Sequence, residues 1–331
     1  MLNARHAAWI LAALALFLVL RLHLLPALLA GLLAYELVHL SAPLLAGRLS
    51  SQRAKAVTVG LLAVLSVGAV TAGLMLTAAF FRSDAGSIPA LAAKMAEILE
   101  NSRHSLPDWL VASLPGSAGE LKDAAIAWLR EHSGEVQLIG KEAGVTLAHV
   151  LIGLIIGAMV SMREAMAPEH LKPLAAALME RATRLAEAFR RIVFAQLRIS
   201  AINTAFTAIY LVVVLPLAGI HLPLTKTMIA ITFLVGLLPV IGNLVSNTVI
   251  VVVSLAHSPQ VAGGSLLFLV VIHKLEYFLN ARIVGGQISA KAWELLLAML
   301  TMEAAFGLPG VVAAPIYYAY LKDELAAAGQ V

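Results

Sequence analysis

The sequence predicts an all-α integral membrane protein that crosses the bilayer about six times and carries a small helical segment outside it. Hydrophobic residues make up 61% of the 331 positions and charged residues 13%, with a mean hydropathy of +0.91. A soluble domain of this length has no means of covering so much apolar surface. Two of the apolar stretches are broken near their middle by Pro and Gly, which predicts helical hairpins in place of simple spans.

The spans are predicted from apolar runs of about 20 residues. They occupy residues 7–22, 24–46, 56–81, 144–162, 199–219 and 262–282. The first run follows "MLNARHAAW" and has the composition of a signal peptide, but further spans follow at once, so it is predicted to be retained. The first two runs are joined by "RLHLLP" and are expected to form a tilted pair within an N-terminal group of spans, residues 1–81.

The basic connectors predict the orientation. "GRLSSQRAK" carries Arg48, Arg53 and Lys55 without an acidic residue, which places it and the N-terminus on the cytoplasmic side of the membrane. Counting crossings also places residues 163–198 and the tail, residues 323–331, in the cytoplasm. The net charge of +4 then reflects loop bias, and no nucleic-acid partner is expected.

Two segments between the spans have their own character. Residues 82–142 are net acidic, with helical patterns near 88–101 and 119–140, and are predicted to form an extracytoplasmic helical segment before the span at 143–162. Residues 163–198 include an amphipathic helical pattern over 174–198. That helix is expected either to lie on the cytoplasmic leaflet or to pack on a neighbouring subunit.

The broken segments lie at 226–256 and 291–320, each after one ordinary span, which gives two similar units over 199–256 and 262–322. Their arms are about 13–15 residues, or about 20 Å, too short to cross alone. Either each segment is a re-entrant hairpin, which makes the two units inverted repeats, or each is one kinked span. The hairpin is favoured, and paired broken segments of this kind are typical of the binding sites of secondary transporters.

Residues at and after the breaks are the first site candidates. Five residues are expected to shape the hairpin tips: Pro239, Gly242, Gly307, Pro309 and Gly310. Asn243 and Asn247 share a helical face after the first break and offer neutral donors and acceptors to a polar solute, although Asn243 is equally suited to capping the broken helix. Glu303 precedes the second break, where it either meets a solute or cation or caps exposed backbone.

A polar stripe in the penultimate span is the second candidate. His273, Glu276 and Asn280 are three and four residues apart and lie on one helical face. Ionisable groups within the bilayer usually face a cavity or a partner. Glu276 is therefore predicted either to bind a proton or cation, with His273 tuning it, or to pair with Lys274 or Arg282 in a structural contact.

Two weaker patterns lie in earlier spans. Glu36 and His39, three residues apart, are compatible with a relay, but a helix-packing pair is favoured. Gly153 and Gly157 form a small-residue face for close helix contact.

Several functional classes lack support. The chain has no Cys, no His-Glu-x-x-His, no Gly-x-Ser-x-Gly and no Gly-rich phosphate loop, so neither an enzyme, a metal centre nor a cofactor is predicted, and transport is expected to use a gradient. A non-transporting envelope scaffold is the alternative of another class, but it leaves the paired breaks unexplained.

Three motifs carry a family resemblance: "LPVIGN" (238–243), "KLEYFLNARIVG" (274–285) and "GLPGVVAAPIYYAYL" (307–321). With them, the chain resembles the autoinducer-2 exporter (AI-2E) family of bacterial transporters along its whole length. The resemblance implies export of a small polar molecule such as autoinducer-2, or alternatively Na⁺(Li⁺)/H⁺ antiport. It also implies a homo-oligomer, expected to be a pentamer, and an elevator-like movement of the hairpins. Asn243 and Ala281 stand where many members have Pro, so the local turn geometry is expected to differ. Asn243 also offers an additional polar ligand at a hairpin tip, so the family's cargo is less safely inferred for this chain.

Overall fold

The computed structural model describes most of the chain. It covers residues 4–45, 52–83, 133–165, 171–237, 241–283 and 291–330, with residues 94, 95, 97, 98 and 101. Within these ranges all regular structure is helical, which confirms the predicted fold class. Most of the predicted extracytoplasmic segment, residues 82–142, lies outside the described residues.

The described helices are numbered here in chain order. They are α1 Ala4–Arg21, α2 Leu25–Leu45, α3 Gln52–Arg82, α4 Ser133–Ala165, α5 Pro173–Ile209, a π-helical turn Tyr210–Val214, α6 Leu215–Leu217, α7 Thr225–Val235, α8 Ile241–Ser254, α9 Pro259–Ile283, α10 Ala292–Phe306 and α11 Leu308–Ala327. Four stretches of the described residues are long and apolar enough to cross a membrane: Ala4–Arg21, Val59–Phe80, Gly144–Arg163 and Pro173–Leu217. The other two predicted spans correspond to α2 and α9. The chain is a multi-pass membrane protein.

The fifth helix is longer than the sequence pattern indicated. The segment predicted as a separate amphipathic helix does not end at residue 198 but continues directly into the next span, through the π turn to Leu217. The physical reason is local, because no Pro or Gly occurs between Pro173 and Pro216. Pro216 lacks an N–H, and its ring crowds the carbonyl of Val212, which explains why the helix widens into a π turn just before it.

The chain divides into two compact units. Unit 1 comprises Met1–Leu74, Lys141–Phe194 and Gly285–Val331, and unit 2 comprises Met75–Gly140 and Ala195–Val284. Each unit contains one of the two broken segments. The units are described separately below.

The first broken segment, in unit 2, is an antiparallel hairpin of α7 and α8. Met228 and Ile231 on one arm pack with Val249, Ile250 and Val253 on the other. The arms have 11 and 14 residues, about 16 and 21 Å, and are shorter than the hydrocarbon layer. Gly242 lies so close to the opposite arm that a Cβ would stand 2.3 Å from the carbonyl oxygen of Val235. Only Gly permits this approach.

The second broken segment, in unit 1, is an antiparallel hairpin of α10 and α11 that turns at Gly307. This residue has φ 64° and ψ −148°, a backbone conformation that residues with a Cβ rarely adopt. Glu294 near the base of one arm contacts Tyr318 and Lys322 on the other. Both broken segments are therefore helical hairpins within the structure, and their re-entry into the bilayer stays a prediction.

The second hairpin packs along α1. Arg5 donates a hydrogen bond to the carbonyl of Ala327 at 3.4 Å, near the hairpin base. Phe17, close to the other end of α1, meets Phe306 at the hairpin tip, with ring centroids 6.0 Å apart. Because α1 is 18 residues, about 27 Å long, the hairpin extends along most of its length.

An ion-pair network joins α5 to the C-terminal end of α11. Arg184 donates to Glu324 at 2.8 Å, and Arg181, which is 2% exposed, lies 3.4 Å from the same carboxylate. Arg191 pairs with Asp323 nearby. In unit 1 the basic face of α5 thus contacts another helix of its own chain. The sequence pattern predicted that this amphipathic helix either lies on the lipid surface or packs on a neighbouring subunit, and contact with another helix of the same chain was not among these predictions.

A carboxylate at the base of the second hairpin predicts acid-dependent stability. Glu294 accepts hydrogen bonds from Lys322 at 2.8 Å, Tyr318 at 2.8 Å and the Lys291 backbone N–H at 3.1 Å. The Lys322 ammonium first, and then the Tyr318 hydroxyl, lower the pKa of Glu294 from 4.5 to about 2. Because the folded pKa lies below the unfolded value, this stabilisation is complete above pH 4.5 and is lost as pH falls toward 2.

We therefore expect Glu294→Gln to lower the melting temperature in detergent at neutral pH, and the difference from the parent to shrink through that acidic window. Glu303→Gln, which changes an exposed carboxyl on the same helix, is the matched control and should leave the melting temperature unchanged. A Glu294→Gln difference that is absent at neutral pH, or unaltered by acid, would contradict this prediction.

Candidate functional site

A stripe of polar side chains lies along the part of α5 that belongs to unit 2 and ends at the first residue of the π turn. Its members are spaced by four, three, four and three residues, which places them on one helical face. They are Gln196, Ser200, Asn203, Thr207 and Tyr210, called here the polar stripe. Ser200, Asn203, Thr207 and Tyr210 are buried, with Ser200 2% and Thr207 1% exposed. The polar face of this helix is thus buried against other parts of the protein.

The first end of the polar stripe holds the broken end of the first hairpin. Gln196 donates a hydrogen bond from Nε2 to the carbonyl of Gly236 at 2.8 Å, and Ser200 donates from Oγ to the carbonyl of Phe233 at 2.6 Å. Both carbonyls lie at the C-terminal end of α7, where the helix supplies no N–H partner of its own. The polar stripe therefore supplies hydrogen-bond donors to carbonyl groups that the break leaves without a helical partner. Such a partner is needed because a backbone polar group that faces lipid is very costly.

The other end of the polar stripe begins a chain of hydroxyls. The Tyr210 hydroxyl lies 2.9 Å from Ser265 Oγ on α9, which lies 2.7 Å from Ser254 Oγ at the end of α8. Each hydroxyl is able to donate or accept, so this hydroxyl chain has two possible directions. Ser254 and Ser265 are fully buried. The Tyr210 ring stacks on Phe268 with centroids 4.0 Å apart, which fixes the phenol in place.

Thr207 lies between these two ends of the polar stripe. Among the described residues, its hydroxyl has no hydrogen-bond partner. Buried hydroxyls that are not paired within the protein cost free energy, and such groups commonly bond to water or a ligand. Further buried hydroxyls of unit 2 come from the first hairpin: Thr227, Thr232 and Ser246. Unit 2 therefore buries several neutral hydroxyl groups beside its apolar core.

The structure describes some of the predicted site residues and not others. In unit 2, Asn247 is half-buried next to buried Ser246, and His273 is exposed on α9. The side chains of Asn243, Glu276 and Asn280 lie outside the described residues, as does Pro239. The hairpin residues Gly242, Gly307, Pro309 and Gly310 do stand at the two tips.

Glu303 belongs to unit 1, on the last turn of α10, where its side chain is exposed and its carbonyl accepts the Gly307 N–H at 2.7 Å. The predicted candidates are thus divided between the two units. Their roles stay predictions.

The polar stripe was not recognised in the sequence, where residues 199–219 were interpreted as an ordinary apolar span. Its signal was present as polar residues at every third or fourth position of that span. An average hydropathy hides such a face, because the apolar residues of the span dominate the mean. The face is detected when the angular positions of the polar residues around the helix are compared.

A cavity in unit 1 has a different chemistry. It has a volume of ≈ 330 Å³ and is bounded by α1, α2, α4 and α5, with Leu24, Leu28, Ile156 and Val160 among its lining residues. Its walls are almost entirely apolar, so it does not suit a polar solute.

The comparison with known families agrees with the helical layout. Residues 7–328 match the family described as AI-2E family transporter. Neither a curated protein nor a solved structure matches the chain. The family match covers nearly every residue and includes both hairpins and the polar stripe. The chain therefore belongs to the AI-2E family of transporters.

Proposed function

We propose that this transporter is a secondary exporter of a small polar molecule, similar to autoinducer-2, and that its transport is coupled to an ion gradient. The observation that supports this proposal is the contact of the polar stripe and the hydroxyl chain with the first broken hairpin in unit 2. Neutral oxygen and amide groups are suited to a polyhydroxylated solute, which both donates and accepts hydrogen bonds.

Transport by a broken hairpin has a physical basis. Helix ends inside a bilayer expose backbone groups that must face protein, water or cargo. In unit 2 the exposed carbonyls of Phe233 and Gly236 bond to Ser200 and Gln196, while the Thr207 hydroxyl remains available in the described structure. A solute that bonds to Thr207 would therefore lie about two helical turns from Ser200 and about three from Gln196, the two residues that bond to the end of the first hairpin arm. An elevator-like movement is expected from the family resemblance and is part of this proposal.

Na⁺(Li⁺)/H⁺ antiport is the second candidate function. Hard cations prefer oxygen ligands, and the hydroxyls of Tyr210, Ser254 and Ser265 form a compact group of them. In this alternative, Glu276 or Glu303 would carry the exchanged charge. Among the described residues, no cluster of three or more His, Asp or Glu side chains is placed to hold a metal ion.

The proposed setting is the bacterial inner membrane, with both termini in the cytoplasm. One contact supports the placement of both termini on the same side of the membrane, and a second supports the predicted order of crossings. Arg5 reaches the carbonyl of Ala327. Helices α2 and α4 run parallel, since Ala27 lies beside Gly153 and Gly31 beside Gly157, as expected if both cross from outside to inside. The homo-oligomer, expected to be a pentamer, stays a prediction.

Flux into proteoliposomes tests the proposal. Under an imposed pH gradient, autoinducer-2, sodium and lithium are supplied separately to the parent and to Thr207→Val, which keeps the side-chain shape but removes the hydroxyl. Loss of one hydrogen bond to the solute, about 0.5–1.5 kcal/mol, predicts a half-saturating concentration roughly 2- to 10-fold higher. Thr248→Val is the matched control, because Thr248 is exposed on α8 and bonds to the carbonyl of Leu244 in its own helix.

The outcomes separate the candidates. Autoinducer-2 flux that is weakened by Thr207→Val and not by Thr248→Val supports the exporter. Proton movement that requires sodium or lithium and is lost in Glu276→Gln or Glu303→Gln supports the antiporter. If no species moves in the parent, the scaffold alternative gains weight, and equal flux in both threonine variants would remove Thr207 from the site.

A further inference from the structure

Glu36 is a buried carboxyl group in unit 1. It is the one acidic residue of α2, whose sequence is "LPALLAGLLAYELVHLSAPLL". The residue is 2% exposed. Its helix packs against neighbours through apolar contacts, with Ala34 beside Leu154 and Val38 beside Val59 and Ala158. Carboxyl groups in such surroundings usually have a specific task.

Among the described residues, the charged and titratable groups that act on Glu36 come from two helices. Arg190 on α5 places Nη1 at 3.8 Å from Glu36 Oε2, and Glu187, one turn earlier on α5, adds a negative charge. His39 on α2 is the third group, and its ring stacks on Tyr35 with centroids 5.2 Å apart. The contacts of α2 with α3 and α4 given above are apolar.

This arrangement differs from a structural ion pair. Within the described part of the chain, Glu36 Oε2 has no hydrogen-bond partner. Charge-assisted hydrogen bonds have typical lengths of about 2.7–2.9 Å, and unit 1 contains one between Arg184 and Glu324 at 2.8 Å. The 3.8 Å separation from Arg190 is outside that range, and the Arg190 side chain is 42% exposed. A buried carboxylate that serves only to lock two helices would be costly with one oxygen unpaired.

We infer that Glu36 is a proton-binding site with Arg190 as its alternative partner. In the observed geometry Oε2 is able to take a proton without breaking an existing hydrogen bond. When Arg190 closes to hydrogen-bonding distance, the carboxylate is stabilised and the proton leaves to water. Proton binding at Glu36 does not depend on the proposed function, but its use as the coupling step of transport does.

Chemical labelling tests proton binding without any cargo. Dicyclohexylcarbodiimide, an apolar carbodiimide, adds to a protonated carboxyl group in apolar surroundings. The acid proton moves to one nitrogen, the carboxyl oxygen bonds to the central carbon, and acyl migration leaves a stable N-acylurea without a leaving group. The purified full chain in lipid nanodiscs is labelled at a series of pH values, and the modified peptide is identified by mass spectrometry.

We expect labelling of Glu36 that falls roughly tenfold per pH unit above its titration midpoint. Glu294, whose carboxylate is held by Lys322, serves as the internal control and should not be labelled in the same range. Arg190→Gln, which removes the competing cation, should shift the Glu36 profile to higher pH. Absence of label at Glu36 from neutral to mildly acidic pH, in protein that remains folded, would overturn the proposal, and so would an unshifted profile in Arg190→Gln.

Flux measurements then test the coupling. In proteoliposomes, Glu36→Gln should abolish proton movement linked to the solute while leaving solute flux down its own gradient. If the parent moves no solute, the transport proposal fails while the labelling result stands. If proton-linked flux survives in Glu36→Gln, Glu36 is excluded as the coupling residue.

Discussion

Replacing Glu324 by Ala is expected to destabilise the protein by about 3 kcal/mol. The carboxylate lies between two guanidinium groups, 2.8 Å from Arg184 and 3.4 Å from Arg181. Arg181 is 2% exposed, so the substitution leaves a buried positive charge without one of its two acidic partners. Breaking a buried ion pair typically costs about 3–5 kcal/mol. The lower end applies because Glu180, at 2.7 Å, still pairs with Arg181.

The free energy of unfolding is measured in detergent by denaturant titration, followed by tryptophan fluorescence. Trp9 is a suitable reporter because the Arg181 guanidinium lies 5.9 Å from its ring centroid. Asp323→Ala is the matched control, since Asp323 is the neighbouring acidic residue, is 33% exposed and pairs with the partly exposed Arg191. A pair of this kind contributes about 0–1 kcal/mol. Equal losses in the two variants would show that burial of Arg181 does not decide the cost.

Replacing Gly157 by Ala is expected to separate α2 from α4, with a loss of about 3 kcal/mol or more. A Cβ at Gly157 would stand 2.0 Å from the carbonyl oxygen of Gly31, and one at Gly153 would stand 2.1 Å from that of Ala27. Both obstacles are backbone atoms, which cannot turn aside as a side chain does. The two helices must move apart, and the buried contact of Ala34 with Leu154 is then weakened.

The matched control is Gly144→Ala on the same helix, where a Cβ meets nothing within 4 Å. Because Ala is a better helix former than Gly, this control should stabilise the protein by up to about 1 kcal/mol. Thermal unfolding of both variants and of the parent, in one detergent, provides the comparison. Similar stability of Gly157→Ala and the parent would mean that the close α2–α4 contact contributes little to the fold.

The two predictions concern unit 1, whereas the proposed solute site lies in unit 2. In unit 1 the C-terminal helix α11 is held to α5 by ion pairs and to α1 by hydrogen bonds, and Phe306 at the end of α10 adds an aromatic contact with α1. In unit 2 the contacts around the first hairpin are short hydrogen bonds between neutral groups. Neutral groups of this kind exchange partners at lower cost than paired charges, which suits a site that must release its cargo.

The first hairpin and the long α5 show which features were predictable. Pro239 and Gly242 lie in or beside the break, and Pro removes a backbone donor wherever it stands, so the interruption of the helix follows from local chemistry. The absence of Pro and Gly between Pro173 and Pro216 equally predicts a continuous helix. The predicted boundary at residue 198 rested on the change from an amphipathic to an apolar composition, and such a change does not end a helix.

The amino-acid sequence by itself determined that this is an all-helical membrane protein and where its helices break, because hydropathy and backbone propensity are properties of neighbouring residues. Only the tertiary structure decided which of its polar residues contact one another. Gln196 meets a carbonyl 40 residues away, Arg184 meets a carboxylate 140 residues away, and Glu36 lies near Arg190. Such pairs depend on which helix faces which, and that choice depends on the packing of whole helical faces, so no local spacing reveals it.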